Sequence, residues 1–156
     1  MLSILHKGIH ISLDIDTTNF TGDVEADSNL AYIQGLKAGR VAALDALGKV
    51  CLADGVLANA LAPIGFIVND AAGYFMLNKP AIASKECAVT FSPCVVITDQ
   101  IDTTQNFVPG QKLYAGTAAK LGLVTNQPGA GAVAIGIAKS SASSAQPQLT
   151  ILVGAK

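Results

Sequence analysis

Few residues in this chain have a type and spacing that could carry chemistry. Its only histidines, His6 and His10, stand four apart in the apolar segment MLSILHKGIHISL. At that spacing they share one face of an extended strand, so two imidazoles could approach one metal ion. A zinc site needs a third ligand, and none of suitable type stands nearby, so strand-filling histidines are the stronger expectation. The three cysteines, Cys51, Cys87 and Cys94, form no C-x-x-C pair and no Cys/His cluster. An odd, scattered set predicts free thiols and assembly in a reducing compartment.

Nucleophilic catalysis would need a Ser or Cys in a sharp turn with a His in reach, and no G-x-S-x-G elbow occurs. Gly129, Gly131 and Ala134 fit G-x-G-x-x-A, a dinucleotide-binding variant. That motif works only between a strand and a helix whose N-terminus meets the phosphate. Here a Pro turn precedes it and the β-like run Ala-Ile-Gly-Ile-Ala follows, so the small residues read as a tight turn and close strand packing. Tyr32, Tyr74 and Tyr114 are too dispersed for a stacking platform. No catalytic residue, cofactor site or metal site is assigned.

The acidic residues are the remaining candidates. Asp14, Asp16, Asp23, Glu25 and Asp27 fall in one stretch, with no Lys or Arg between Lys7 and Lys37. The stretch carries −5, and the other ten basic and six acidic residues leave +4 elsewhere. Alternating carboxylates could hold Ca²⁺, but the EF-hand spacing fails because Asn19 occupies the sixth position from Asp14. Two readings stand: a solvated acidic loop, or an arm that docks on a basic surface of a partner. On the second reading these five residues are the partner-binding set.

The chain has 156 residues, enough for one domain or two very small ones. Hydrophobic residues make up 51% but aromatics only 5%, and charged residues 13%, about half the usual share. A surface so poor in charge favours burial against neighbours in an assembly. The net charge of −1 gives no basis for nucleic-acid binding. The start lacks a signal-peptide pattern, and the longest apolar run, Val56 to Val68, is too short to span a membrane and contains Asn59 and Pro63.

The elements that must position these residues read as strands. Ile9, Ile11 and Leu13 alternate with polar residues, and Ile64 to Val68 is a β-rich run. Ala88 to Thr98 is the longest β-branched stretch, with Pro93 implying a bulge, bend or edge. Leu113 to Ala115, Leu121 to Thr125, Ala132 to Ala138 and Leu149 to Val153 follow, separated by Gly/Pro/Asn turns. Leu36 to Leu52 could be drawn as an amphipathic helix weakened by Gly39 and Gly48. A repeat argues for strands there instead. At an offset of 71 residues Gly39 meets Gly110, Gln34 meets Gln105, Lys49 meets Lys120, and Ile64-Gly65 meets Ile135-Gly136. A constant offset is the mark of a duplicated unit. The expected fold is all-β, a short-stranded sandwich or barrel. It comprises an N-terminal arm or strand with an acidic loop over 1–30, a first β unit over 31–98 and a second over 99–156.

The second copy carries a resemblance. Its PGQKLY strand, the Gly/Pro turn, AVAIGIAKSSA and the closing strand LTILV resemble bacteriophage capsid decoration (cement) proteins, over Phe107 to Val153 and, through the repeat, over Leu36 to Ala71. The resemblance implies a structural protein on the virion exterior, assembled in the host cytoplasm, that binds the outside of the head and bridges major capsid protein subunits. It also implies a homotrimer and carries no catalytic residues. The alternative expectation is a phage tail or fibre module binding a receptor or glycan. An enzyme is the least favoured of the three.

Overall fold

The computed structural model describes residues 2–6, 10–15, 36–56, 62–68, 74–75, 79–80, 86–90 and 93–154. Among these the chain forms strands, turns and a single 3₁₀ turn (Ala118–Lys120), with no α-helix. The strands are β1 (Leu2–His6), β2 (His10–Asp14), β3 (Val41–Leu44), β4 (Val50–Leu52), β5 (Gly65–Ile67), β6 (Tyr74–Phe75) and β7 (Lys79–Pro80). They continue with β8 (Glu86–Thr90), β9 (Cys94–Thr98), β10 (Lys112–Ala115), β11 (Val124–Thr125), β12 (Gly136–Ala138) and β13 (Leu149–Val153). The fold is all-β, as the turn chemistry and alternation predict.

Two antiparallel sheets hold most of these strands. The first runs β2-β8-β5-β3-β4 and the second β1-β9-β13-β12-β10-β11, while β6 and β7 pair as a small ribbon. With β1 set aside, the second sheet repeats the first strand for strand: β2 matches β9, β8 matches β13, β5 matches β12, β3 matches β10 and β4 matches β11. Each sheet also curls toward a barrel. The residue just past β2 makes a parallel bridge to β4 (Ile15 with Val50), and a residue past β9 makes the same bridge to β11 (Ile101 with Val124).

The duplication holds at the level of single hydrogen bonds. Val41 faces Phe66 and Ala42 faces Gly65, and 71 residues later Lys112 faces Ile137 and Leu113 faces Gly136. The Gly39 N–H donates to the Ile67 carbonyl and the Gly110 N–H to the Ala138 carbonyl, each at 2.8 Å. The Ile64 N–H donates to Ala42 and the Ile135 N–H to Leu113, again at 2.8 Å each. The repeated glycines have physical causes. Gly39 and Gly110 take φ of +90° and +88°, a region that L side chains rarely adopt. A Cβ on Gly65 would collide with the Thr90 carbonyl of β8, and one on Gly136 with the Leu152 carbonyl of β13. Close approach of the neighbouring strand selects glycine at both.

The sheets bury two apolar clusters. One lies inside the first unit and includes Ile15, Leu36, Ala42, Val50, Ile67 and Val89. The larger one fills the second unit, with Phe107, Leu113, Val124, Leu149 and Ile151, and takes in Val41, Ala43 and Phe66 from the first. Strand β3 is therefore buried on both faces. Ala42 points into its own unit and its neighbours Val41 and Ala43 point into the other.

One expectation is revised by the sheet topology. Ala88 to Thr98 is not one strand. It breaks beside Pro93 into β8, in the first sheet, and β9, in the second. A proline cannot donate to a ladder, and the chain uses it to change sheets. The start of the chain, expected as an arm or strand, supplies a strand to each sheet. β1 lies against β9, β2 lies against β8, and Ile15 is 1% exposed.

Candidate functional site

The sequence-derived site residues separate in space. His6 sits on β1 opposite Val95, while His10 sits on β2 opposite Thr90. They belong to different strands in different sheets, so the shared strand face expected from their spacing does not form. Among the described residues no group of three His, Cys, Asp or Glu could hold a metal ion. Of the five acidic candidates, Asp14 is exposed at the end of β2, in register with Glu86 on β8. Asp16, Asp23, Glu25 and Asp27 lie outside the described residues.

The most organised polar constellation is one the sequence reading missed. Asp102 follows β9 and is buried, its side chain 4% exposed. Its Oδ1 accepts from the Thr104 hydroxyl at 2.6 Å and the Thr104 N–H at 3.1 Å. Its Oδ2 accepts from Lys120 Nζ at 2.7 Å and Gln105 Nε2 at 2.9 Å. The Gln105 Oε1 in turn accepts from the Thr125 hydroxyl at 2.8 Å and the Asn126 N–H at 2.9 Å. Burial alone would raise the Asp102 pKa. The hydrogen bonds from Lys120 and Thr104 and the Lys120 charge together outweigh it and hold the carboxyl below the usual range.

This network ties the Asp102–Gln105 turn to the β10–β11 connection and to β11. Lys120 reaches it from the 3₁₀ turn, where Ala118 takes φ of 51°. A cleft of about 210 Å³ opens beside it, lined by Gln105, Thr117, Lys120, Gln127 and Pro128 among others. Both Asp102 oxygens are already occupied, so its evident role is to brace the loops. The signal that could have found it is the run Asp-Thr-Thr-Gln after a strand, an Asx-turn pattern.

The remaining features are surfaces. Among the described residues the exposed large apolar side chains are Ile11 (40%), Leu47 (76%), Val108 (50%) and Val133 (46%). The outer face of the second sheet is mixed: Lys112 is exposed, and Tyr114, Ile137, Leu152 and Val95 are partly exposed. A second cleft, of about 260 Å³, runs along the junction of the units between Pro63–Phe66 and Val133–Ile135. None of the three cysteines is in a disulfide, and Cys87 and Cys94 are buried. Burial, and then the charge of Asp45, push the half-buried Cys51 thiol up to about 11. Among the described residues no nucleophile, base and oxyanion donor come together. No family model, curated protein or solved structure matches the chain.

Proposed function

We propose that this chain is a structural virion protein that binds the outer surface of a phage head. On this reading it stabilises the capsid by bridging major capsid protein subunits, assembles with itself as a homotrimer, and catalyses nothing. The observation that carries the reading is the surface: charged residues make up only 13% of the chain, and the outer face of the second sheet leaves Tyr114, Ile137, Leu152 and Val95 partly exposed beside Lys112. Such faces gain by being covered, and many shallow contacts on a symmetric lattice add up to tight binding. The resemblance of Phe107 to Val153 to decoration proteins points the same way. Asp14, Asp16, Asp23, Glu25 and Asp27 supply charge complementary to a basic capsid patch.

The test is addition of the purified chain to undecorated heads, followed by heating. Full occupancy and a higher temperature of head disruption are expected. Replacing Asp23, Glu25 and Asp27 with Asn, Gln and Asn should weaken addition and make it less salt-dependent, while the fold persists. Heads that neither bind the chain nor gain heat resistance would sink the proposal. Occupancy unchanged by the acidic replacements would remove the acidic stretch from the contact.

A further inference from the structure

The two sheets differ by one strand. β9 lies between β13 and β1, whereas its counterpart β2 is an edge: among the described residues it pairs only with β8. The equivalence of the two strands is fixed residue by residue. Ile11 faces Val89, which faces Ile67, and Val96 faces Ile151, which faces Ala138. Ile67 and Ala138 are 71 apart, so Ile11 matches Val96, Ser12 matches Ile97 and Asp14 matches Asp99. Ile11 is 40% exposed, whereas Val96 is 0% exposed. Ser12 and Asp14 are exposed, and Ile97 and Asp99 only partly so. The core behind β2 is closed, with Ile15, Ile67 and Val89 buried. What stays open is the edge of the strand itself.

An edge strand presents a row of unpaired N–H and C=O groups, a template for another strand. The matching edge of β9 shows what such an edge accepts here: β1 pairs with it antiparallel, Leu2 with Thr98 through Ile4 with Val96. β2 lacks the usual guards. It holds no Lys and no Pro, and its pairing with β8 runs without a bulge from His10 to Asp14. Its sequence, HISLD, also complements itself when turned end for end. About a two-fold axis at Ser12, that residue stands opposite its own copy, Ile11 opposite Leu13, and His10 opposite Asp14. Apolar positions meet apolar ones, and the carboxylate of Asp14 meets the one basic position, the pairs that stabilise an antiparallel ladder. No other register pairs all five residues of the strand.

We propose that the β2 edges of two copies pair antiparallel across a two-fold axis at Ser12. The five-stranded sheets of the two first units then form one continuous sheet through the dimer. The occupant is a second copy because the register that uses the whole strand is also the one that matches apolar to apolar and acid to base. A two-fold contact uses the same patch on both partners and stops at two copies. The inference goes beyond the capsid reading. It concerns the first unit's edge in solution and is separate from a three-fold contact made on a head.

The test is sedimentation of the full chain without heads, over a range of concentration, with a cross-linking arm. The wild type should associate as concentration rises. Ser12→Lys, at an exposed position, sets two like charges opposite each other on the axis and should abolish the contact, while circular dichroism shows the fold kept. Ser12→Cys reads the register. Directly opposite residues of an antiparallel pair stand within disulfide reach, so a mild oxidant should link the two copies at this position. Leu47→Cys, in a turn and 76% exposed, is the control for chance encounter. Ser12→Cys should link more than about tenfold faster than Leu47→Cys at micromolar chain, because pairing holds the thiols at an effective concentration on the order of millimolar. A monomeric wild type, a folded Ser12→Lys that associates as the wild type does, or a Ser12→Cys that links no faster than the control each overturn the proposal. A trimer untouched by Ser12→Lys overturns the edge contact and leaves the reading above in place. A chain that pairs through Ser12 but does not add to heads refutes only the capsid reading.

Discussion

Replacing Asp102 with Asn changes one atom of a buried carboxylate that accepts four hydrogen bonds. The amide can still accept through its one oxygen, so either the Thr104 pair or the Gln105–Lys120 pair remains. The other pair then meets an NH₂ group that donates instead of accepting. Hydrogen bonds to a charged group contribute about 1.5–3 kcal/mol each, so losing two costs roughly 3–6 kcal/mol. Lys120 is 44% exposed and can return to water, which brings the expected loss to the lower end, about 3 kcal/mol. Urea unfolding at pH 7, followed by circular dichroism, measures it. The pH dependence adds a sharper requirement. The Asp102 carboxyl sits below its ordinary value of 3.8 in the folded chain. Its contribution is therefore present above that value and is lost as pH falls through the folded one. The stability gap between wild type and Asp102→Asn should hold from neutral pH down to about 4 and narrow below it. A gap under about 1 kcal/mol at pH 7 would refute the reasoning, since it would make the four contacts collectively weaker than one ordinary charged hydrogen bond. A gap unchanged into strong acid would show that the charge is not what holds the loop.

Two further predictions come from the duplication and the thiols. Gly65→Ala and Gly136→Ala should each destabilise by about 2 kcal/mol, because the added Cβ meets a strand carbonyl that cannot move aside. Gly48→Ala, where no atom lies within 4 Å, should cost only the roughly 1 kcal/mol of its positive φ, and equal losses at all three sites would contradict this. Alkylation of Cys51 at pH 8, located by mass spectrometry, should be on the order of a hundredfold slower in the folded chain than in urea, because so little of it is thiolate. Rapid labelling of Cys51 in the folded chain would contradict the effect ascribed to its burial and to Asp45.

Much of the fold was legible in the residues because its causes are local. Turn glycines, prolines and asparagines mark strand ends wherever the chain folds, and Leu149–Val153 reads the same in sequence and structure. The 71-residue offset was visible for the same reason: Gly39 and Gly110 answer a local backbone demand, and Gly65 and Gly136 a close approach to the neighbouring strand, in each copy. Leu36 to Leu52 was ambiguous because β3 is apolar on both faces, which erases the period-2 signal. Burial on two sides is a property of the partner sheet, so only the repeat could argue for strands there.

What the tertiary structure alone decided is which strand meets which. Nothing in Ala88 to Thr98 announces that its two halves join different sheets, because pairing is chosen by distant residues: Ile67 faces Val89, and Leu152 faces Val95. The same holds for His6 and His10, four apart in the chain but in separate sheets. The Asp102 network draws Lys120 and Thr125 from far along the chain, so only its Asx turn was written locally. The sequence by itself determined a duplicated, all-β, charge-poor chain, since composition, turns and repeat spacing are written residue by residue. The unequal burial of the two units arises only when one copy's outer face covers the other's inner face, and that asymmetry is a fact of packing.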